Sequence, residues 1–139
     1  MIAIDTNVLL YSVDRNEPAK QHKAQLLLQQ LEISTVSVVL PWQVLGETAQ
    51  QLRRWHELGR ITLFEYTRNL SAFRHLFPLA LPTAETFDRA LTLAQHYSLS
   101  HWDSMLLGAC QTAGVTRLYT EDMGAPRTIE SIELVNPFT

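Results

Sequence analysis

The sequence is poor in cysteine, glycine and long apolar runs, and each shortage argues against a class of protein. Cys110 is the only cysteine, so no internal disulfide can form and we expect a reducing compartment, by default the cytoplasm. No apolar stretch approaches the ~20 residues that cross a membrane, and the N-terminus lacks the basic start of a signal peptide, so we expect no membrane partner. The five glycines do not cluster, which argues against a glycine-rich phosphate-binding loop.

Basic residues are also scarce. Lysine and arginine number 11 against 14 acidic residues, a formal net charge of -3, so attraction to a nucleic acid must come from a local basic patch or from bound metal. The densest basic region contains Arg53 and Arg54, which are candidate nucleic-acid contacts, although such a run is more often a solvated helix face. The histidines are scattered and the cysteine is alone, so no zinc ligands occur at the usual spacing.

The 139 residues, 46% of them hydrophobic, predict a single domain that spans residues 1–139. Apolar runs rich in β-branched residues predict strands at Ile2–Ile4, Thr35–Val39, Val115–Tyr119 and Ile132–Val135. Helical periodicity predicts helices at Val8–Val13, Ala19–Leu31, Trp42–Leu58, Leu63–Phe77, 84–97 and 101–113. This alternation predicts the α/β class, with a parallel sheet flanked by helices.

Two of the predicted helices show an apolar stripe. In the helix at 42–58 the stripe consists of Val44, Thr48, Leu52 and Trp55. In the helix that Thr83 would cap, it consists of Phe87, Leu91, Ala94 and, at its end, Tyr97. Glu47 lies roughly 60° from the first stripe, beside the buried face and not opposite it, which is unusual for a merely solvating glutamate.

Three further acids occupy positions where chemistry is often done. Asp5 follows the first predicted strand and Asp122 the third, so both lie at the carboxyl edge of a parallel sheet, where ligands bind in open α/β folds. Asp103 lies in the first turn of a helix, where the helix dipole keeps a carboxylate ionised. Each also has a structural alternative, because Asp5 and Asp122 suit turns, and Ser100 with Asp103 resembles a capping box.

Asp5, Glu47, Asp103 and Asp122 could together form one acidic site. Carboxylates that converge without a counter-ion repel one another, and a hard divalent cation removes that conflict. Oxygen ligands alone favour Mg²⁺ or Mn²⁺ over zinc, and such ions support the hydrolysis of phosphodiester bonds. We therefore interpret the four acids as ligands of Mg²⁺ or Mn²⁺.

Short motifs along the chain carry a resemblance to a known family. They are Asp5-Thr6-Asn7 after a strand, Glu47 in a central helix, Trp102-Asp103 opening a helix, Thr120-Glu121-Asp122 after a strand, and the closing Val135-Asn136-Pro137-Phe138. In the order and spacing of these motifs, the chain resembles PIN-domain nucleases over essentially its whole length. It is most similar to the VapC-like toxins of bacterial toxin–antitoxin pairs.

The resemblance implies a PIN-like three-layer sandwich, with a central, mostly parallel sheet of four to five strands flanked by helices. It implies a Mg²⁺- or Mn²⁺-dependent endoribonuclease whose catalytic and metal-binding residues are Asp5, Glu47, Asp103 and Asp122. It gives supporting roles to Thr6 and Thr120, and we expect Asn7 and Glu121 to support the site as well. It also implies an RNA substrate, a cognate antitoxin and a homodimer.

Several alternatives stay open. An extended backbone after the third strand would turn only one of Glu121 and Asp122 into the site, and we favour Asp122. A haloacid-dehalogenase-like phosphatase is disfavoured, because Asn7 occupies the position at which that family has an aspartate as general acid. A phosphoacceptor receiver domain is disfavoured, because it needs a lysine near the C-terminal end and the only lysines here are Lys20 and Lys23. A catalytically inactive RNA- or protein-binding module fits the same residues, and nothing selects among transfer, ribosomal and messenger RNA.

Overall fold

A computed structural model describes every residue from Met1 to Thr139. In chain order its elements are β1 (Ile2–Ile4), α1 (Thr6–Ser12), α2 (Pro18–Glu32), β2 (Val38–Pro41), α3 (Trp42–Glu57), α4 (Leu63–Leu76), β3 (Leu79–Ala80), α5 (Ala84–His96), α6 (His101–Ala113), β4 (Arg117–Tyr119), β5 (Arg127–Ile129) and β6 (Ile132–Val135). The six strands form one sheet in the order β3-β2-β1-β4-β6-β5. Neighbouring strands pair in parallel except β5 and β6, which are antiparallel.

The predicted α/β class with a mostly parallel sheet is confirmed, but the sheet has six strands where four to five were expected. The additional strands are β3 and β5, whose two and three residues are too few to show a periodic pattern. The predicted starts of two other strands lie too early, because β2 begins at Val38 and β4 at Arg117.

The predicted helices are all present, with ends that differ by one or a few residues. The first begins at Thr6, earlier than predicted, because the Asp5 side chain accepts a hydrogen bond from Thr6 N and acts as the N-cap. Pro18 lies in the first turn of α2, where its missing N–H costs nothing, and Gly114 ends α6 in the left-handed conformation. No helix combines the length and the apolar character that a membrane crossing requires.

The hydrophobic core surrounds β1, all three of whose residues are buried. Helix α3 contributes the predicted stripe to this core, consisting of Val44, Thr48, Leu52 and Trp55. Cys110 in α6 is also fully buried, and burial raises the pKa of its thiol. The cysteine is therefore a small hydrophobic residue of the core and not a reactive nucleophile.

The predicted buried stripe of α5 is wrong. Phe87 and Leu91 are 53% and 52% exposed. The structure buries Thr86, Ala90 and Leu93 instead. The reason is a close approach of α6, since a Cβ atom added to Gly108 would lie only 2.6 Å from Thr86 O. The small residues Thr86 and Ala90 lie at this contact, and Phe87 and Leu91, which lie on another face of the helix, remain on the surface.

The carboxyl ends of β1 and β4 lie side by side at one edge of the sheet. Ile4 is in register with Tyr119, and the N–H of Asp5 donates to the carbonyl of Tyr119 at 2.9 Å. Asp5 and Thr120 therefore emerge at neighbouring points, although 115 positions separate them in the sequence.

Candidate active site

Asp5 is the most buried acid of the site, with a side chain that is only 5% exposed. Its Oδ1 accepts a hydrogen bond from Thr6 N, and its Oδ2 accepts one from Thr120 Oγ1, both at 2.7 Å. The carboxylate is thus held in one orientation by the residue that follows it and by the residue that follows β4.

Thr120 also connects Asp5 to Asp122. The Thr120 hydroxyl oxygen accepts a hydrogen bond from Asp122 N at 3.0 Å while its proton is donated to Asp5. The Asp122 side chain is held separately, because Asn7 Nδ2 donates to its Oδ2 at 3.2 Å. The two acids that follow neighbouring strands therefore share one hydrogen-bonded network, as expected from the sheet edge.

Glu47 joins the same network from helix α3. Its Oε2 accepts a hydrogen bond from Thr6 Oγ1 at 3.0 Å. Its Oε1 accepts one from Gln43 Nε2 at 2.7 Å, and the same amide nitrogen donates to the carbonyl of Trp102 at 2.9 Å. Gln43 thereby ties α3 to the first turn of α6. Gln43 precedes Glu47 by one helical turn, a spacing at which two side chains of a helix contact each other. The sequence therefore contained a signal for this contact, and we missed it.

Asp103 lies half-buried in that first turn of α6. Its N–H donates to Ser100 Oγ at 3.1 Å, so Ser100 is the N-cap that the sequence indicated. The Asp103 carboxylate does not complete a reciprocal capping box. Capping therefore involves the backbone of Asp103 and leaves its carboxylate available for another role.

The acids perturb one another electrostatically. Burial raises the pKa of Asp5 to about 6, the hydrogen bonds from Thr120 and Thr6 oppose this, and the charges of Asp122 and Glu47 add to it. The pKa of Asp122 is also raised, first by partial burial and then by the negative charges of Glu121, Asp103 and Glu47, while the hydrogen bond from Asn7 opposes this. The charges of Glu47 and Asp103 therefore reach Asp5 or Asp122. We call the surface defined by Asp5, Glu47, Asp103 and Asp122 the acidic mouth.

Glu121 points to a different set of partners. Its Oε1 accepts a hydrogen bond from Tyr11 Oη at 2.8 Å, and its Oε2 lies 3.2 Å from Lys20 Nζ. Asp122 faces Asn7, so the two adjacent acids diverge, at a point where the backbone bends and is no longer extended. The Lys20 ammonium also lies 4.6 Å from the centre of the Tyr11 ring, so Lys20, Glu121 and Tyr11 form one cluster.

The donor chemistry of the site fits a hard divalent cation. Its ligating groups are all oxygens, and Asn7 Oδ1 is a buried acceptor without a hydrogen-bond partner beside Asp122. No group of three or more histidine, cysteine, aspartate or glutamate side chains is already arranged to hold an ion. Without a bound cation the carboxylates repel one another, and threonine or amide groups donate hydrogen bonds to those of Asp5, Glu47 and Asp122.

Arg53 and Arg54 lie outside the acidic mouth. Both are exposed near the end of α3, and Arg53 forms a 3.1 Å ion pair with Glu57. Arg54 forms no salt bridge and follows Glu47 by about two turns on the same helix face. Of the two predicted nucleic-acid contacts, Arg54 is therefore the one whose guanidinium is not engaged in an ion pair.

Comparisons with known proteins agree with this architecture. The model of the PIN domain family matches residues 2–129 of the chain. VapC20 of Mycobacterium tuberculosis, described as a sarcin-ricin loop cleaving toxin, is 20% identical with a TM-score of 0.67, over 89% of this chain and 92% of that one. No curated protein matches the sequence significantly.

Two further solved structures are similar over nearly their whole length. A toxin–antitoxin complex from Klebsiella pneumoniae gives a TM-score of 0.65 at 22% identity, covering 99% of this chain and 98% of that one. VapBC2 from Rickettsia felis, bound to a DNA fragment from their promoter, gives 0.69 at 14% identity, with 96% and 97% covered. These likenesses confirm the expected fold.

Proposed function

This chain belongs to the PIN domain family, and from that premise we propose that it is a metal-dependent endoribonuclease that hydrolyses RNA phosphodiester bonds. The observation that carries the proposal is the meeting of acids from distant segments at one sheet edge. Asp5, Thr120 and Asp122 share one network there, and Thr6 and Gln43 hold Glu47 beside it. A purely structural role for these acids would not require them to converge, since each raises the cost of ionising the next.

We propose that Asp5, Glu47, Asp103 and Asp122 would hold Mg²⁺ or Mn²⁺. The chemistry that a bound divalent cation supplies is activation of water and neutralisation of charge on the phosphodiester. The side chains themselves must be deprotonated to bind it. Because the pKa of Asp5 is about 6, most of this carboxyl is ionised at neutral pH.

The supporting residues keep the proposed ligands in place. Thr120 Oγ1 and Thr6 N donate to the two oxygens of Asp5, which fixes its rotamer and opposes its protonation. Thr6 Oγ1 and Gln43 Nε2 do the same for Glu47. Asn7 orients Asp122 by a hydrogen bond. Glu121 has an indirect role, because its contacts with Tyr11 and Lys20 hold the segment that follows β4 in place.

The test is cleavage of a labelled RNA with Mg²⁺, Mn²⁺ or EDTA. We expect cutting with either metal and none with EDTA, and a loss of roughly 100-fold or more in Asp5→Asn and Asp103→Asn. Asp88→Asn, an exposed carboxylate on α5, is the matched control and should cut like the wild type. If the wild type binds RNA without cutting it under any of these conditions, the alternative of a catalytically inactive binding module replaces the proposal.

We further propose that the protein is the toxin of a toxin–antitoxin pair and acts in the cytoplasm, where its RNA lies. The support is the fold shared with a toxin–antitoxin complex and with VapC20. Inducing the wild type in cells should arrest growth and create new RNA 5′ ends, and Asp5→Asn should do neither. Co-expression of the cognate antitoxin should restore growth. Growth arrest by Asp5→Asn as well would point to a toxicity unrelated to cleavage.

A homodimer is also part of the proposal, formed through the outer face of α5. This outer face consists of Phe87, Leu91 and Ala94, which have the spacing of a buried stripe yet are exposed. An apolar helix face left on a surface is typical of an interaction site. Light scattering should give the mass of two chains for the wild type and of one for Leu91→Glu. A monomeric wild type would contradict this assignment.

A further inference from the structure

A second surface adjoins the acidic mouth and contains two exposed tryptophans. A groove of about 790 Å³ runs between α3 and α6 and ends against the segment that joins β3 to α5. We call it the tryptophan groove and define it by Trp42, Gln43, Gly46, Gln50, Trp102 and Met105. Glu47 also lines it, so the groove and the acidic mouth share one residue.

Both indoles present large open faces at this groove. Trp42 is 52% exposed and Trp102 is 60% exposed. Trp102 is held from two sides, because the His101 ring packs against it edge-on at 4.7 Å and Gln43 bonds its carbonyl. Two exposed indoles that line one groove form a contiguous apolar surface, and such a surface is typical of an interaction site.

The lining has the chemistry of a nucleobase site. Aromatic faces stack on bases, and the amides of Gln43 and Gln50 can donate to and accept from base edges. Glu47 is the only charged residue of the lining, and it would repel a phosphate placed inside the groove. A Cβ atom added to Gly46 would meet nothing within 4 Å, so the absent side chain leaves open space for a planar ring.

A cationic group lies at the end of the groove, where a bound RNA strand would leave it. Gln50 lines the groove, and Arg54 follows it by about one turn on the same face of α3. Arg54 is exposed and forms no salt bridge. Along α3, the carboxylate of Glu47 is therefore followed by the amide of Gln50 and then by the guanidinium of Arg54. In a bound RNA strand, these groups would lie beside the cleaved phosphate, the neighbouring base and the next phosphate, respectively.

Resting on the proposed nuclease function, we infer that the tryptophan groove binds an unpaired nucleobase adjacent to the cleaved phosphodiester. The base stacks on Trp102 and Trp42, and Arg54 contacts the phosphate beyond it. A base inside a duplex cannot reach these rings, so the groove contacts the strand only where that one base is unpaired and turned outward.

The experiment measures binding separately from cleavage. Wild-type protein in EDTA at low salt is titrated with a fluorescein-labelled single-stranded RNA of mixed sequence. The same RNA annealed to its complement, and a version with abasic sites, serve as comparisons. We expect tight binding of the unpaired RNA with quenching of tryptophan fluorescence, and weak binding of the other two. Equal binding of all three probes would overturn the inference.

Substitutions then test the groove itself. Trp102→Ala should weaken binding of unpaired RNA at least about fivefold, and Trp102→Phe should restore most of it. Gly46→Leu, which fills the groove, should weaken it as well. Phe64→Ala removes an equally exposed aromatic ring from α4 and is the matched control. In the cleavage assay the groove variants should raise KM more than they lower kcat.

The outcomes separate this inference from the proposed function. If the wild type cuts RNA and both Trp102→Ala and Gly46→Leu bind and cut like it, the inference is wrong and the nuclease assignment stands. If no metal supports cutting but the groove variants still lose binding of unpaired RNA, the nuclease assignment fails and the base site remains. If the variants change the oligomeric mass and leave RNA binding intact, the groove is an interface between copies of the chain and the inference is overturned.

Discussion

Replacing Asp5 by asparagine should stabilise the metal-free protein at neutral pH, although it removes a proposed metal ligand. The carboxyl of Asp5 is 5% exposed and lies near the charges of Asp122 and Glu47. Ionising it inside this pocket is unfavourable, since water is excluded and its charged neighbours are negative. An asparagine has almost the same shape and carries no charge, so it removes that cost.

The magnitude follows from the pKa. Burial raises the pKa of Asp5 from an ordinary value of 3.8 to about 6, against opposing hydrogen bonds. A displacement of this size corresponds to roughly 3 kcal/mol, at about 1.4 kcal/mol per pKa unit. The asparagine Nδ2 cannot accept the proton of Thr120, and that lost hydrogen bond costs roughly 1 kcal/mol. We therefore expect a net gain of about 2 kcal/mol, which raises Tm by roughly 6 °C.

The gain should depend on pH in a defined direction. Because the folded-state pKa of Asp5 lies above its unfolded value, the native wild type binds more protons between about pH 4 and pH 6. Its stability therefore falls as the pH rises through this window. The asparagine does not titrate, so the advantage of Asp5→Asn should be full at pH 7 and absent near pH 4.

Thermal and urea unfolding in EDTA, at pH 7 and pH 4.5, measure this difference. Asp88→Asn is the control for an exposed carboxylate and should show neither a gain nor a pH-dependent difference. Added Mn²⁺ should raise Tm of the wild type much more than that of Asp5→Asn, because only a bound ligand stabilises the native state. A variant less stable than the wild type at pH 7, or an equal difference at both pH values, would refute the reasoning.

Other substitutions test single contacts of the fold and of the site. Thr120→Val removes a hydroxyl that donates to one acid and accepts from the backbone of another, so urea titration should show a loss of about 2–3 kcal/mol. Gly108→Ala forces a Cβ atom against a backbone carbonyl of α5 and should cost roughly 1–3 kcal/mol, whereas Gly46→Ala, whose Cβ meets nothing, should gain roughly 0.5–1 kcal/mol. Asp122→Asn should lower RNA cleavage about 100-fold and Glu121→Gln less than about tenfold, because hydrogen bonds hold Glu121 outside the mouth. Equal effects of the two glycine substitutions on Tm, or a larger loss of cleavage in Glu121→Gln, would contradict the described geometry.

The positions of the acids could be predicted because they depend on local patterns. The apolar runs before Asp5 and Asp122 mark strands, and parallel strands end at a common edge. Periodicity along α3 located Glu47 beside a stripe that the structure confirms. The roles of these acids in binding metal and in catalysis stay predictions, since geometry alone does not test them.

The remaining features depend on contacts between distant parts of the chain. Lys20 pairs with Glu121 across 101 positions, and no local pattern indicates such a partner. The spacing of Phe87 and Leu91 is the same whether a helix face is buried by its own chain or by another molecule. The buried face of α5 is the one that contacts Gly108 of α6 through Thr86 and Ala90. This contact exists only after the two helices have packed together, so the sequence of α5 alone does not show it.

The strand order has a consequence for synthesis of the protein. Strand β4 lies between β1 and β6, yet it is translated long after β1, and Thr120 reaches Asp5 only when β4 has inserted. A nascent chain that has not yet exposed β4 therefore lacks the strand that brings Asp122 to Asp5. The two acids stay apart as long as β4 is still inside the ribosome. Under the proposed function, the site that Asp5 shares with Thr120 can therefore form only after β4 has inserted between β1 and β6.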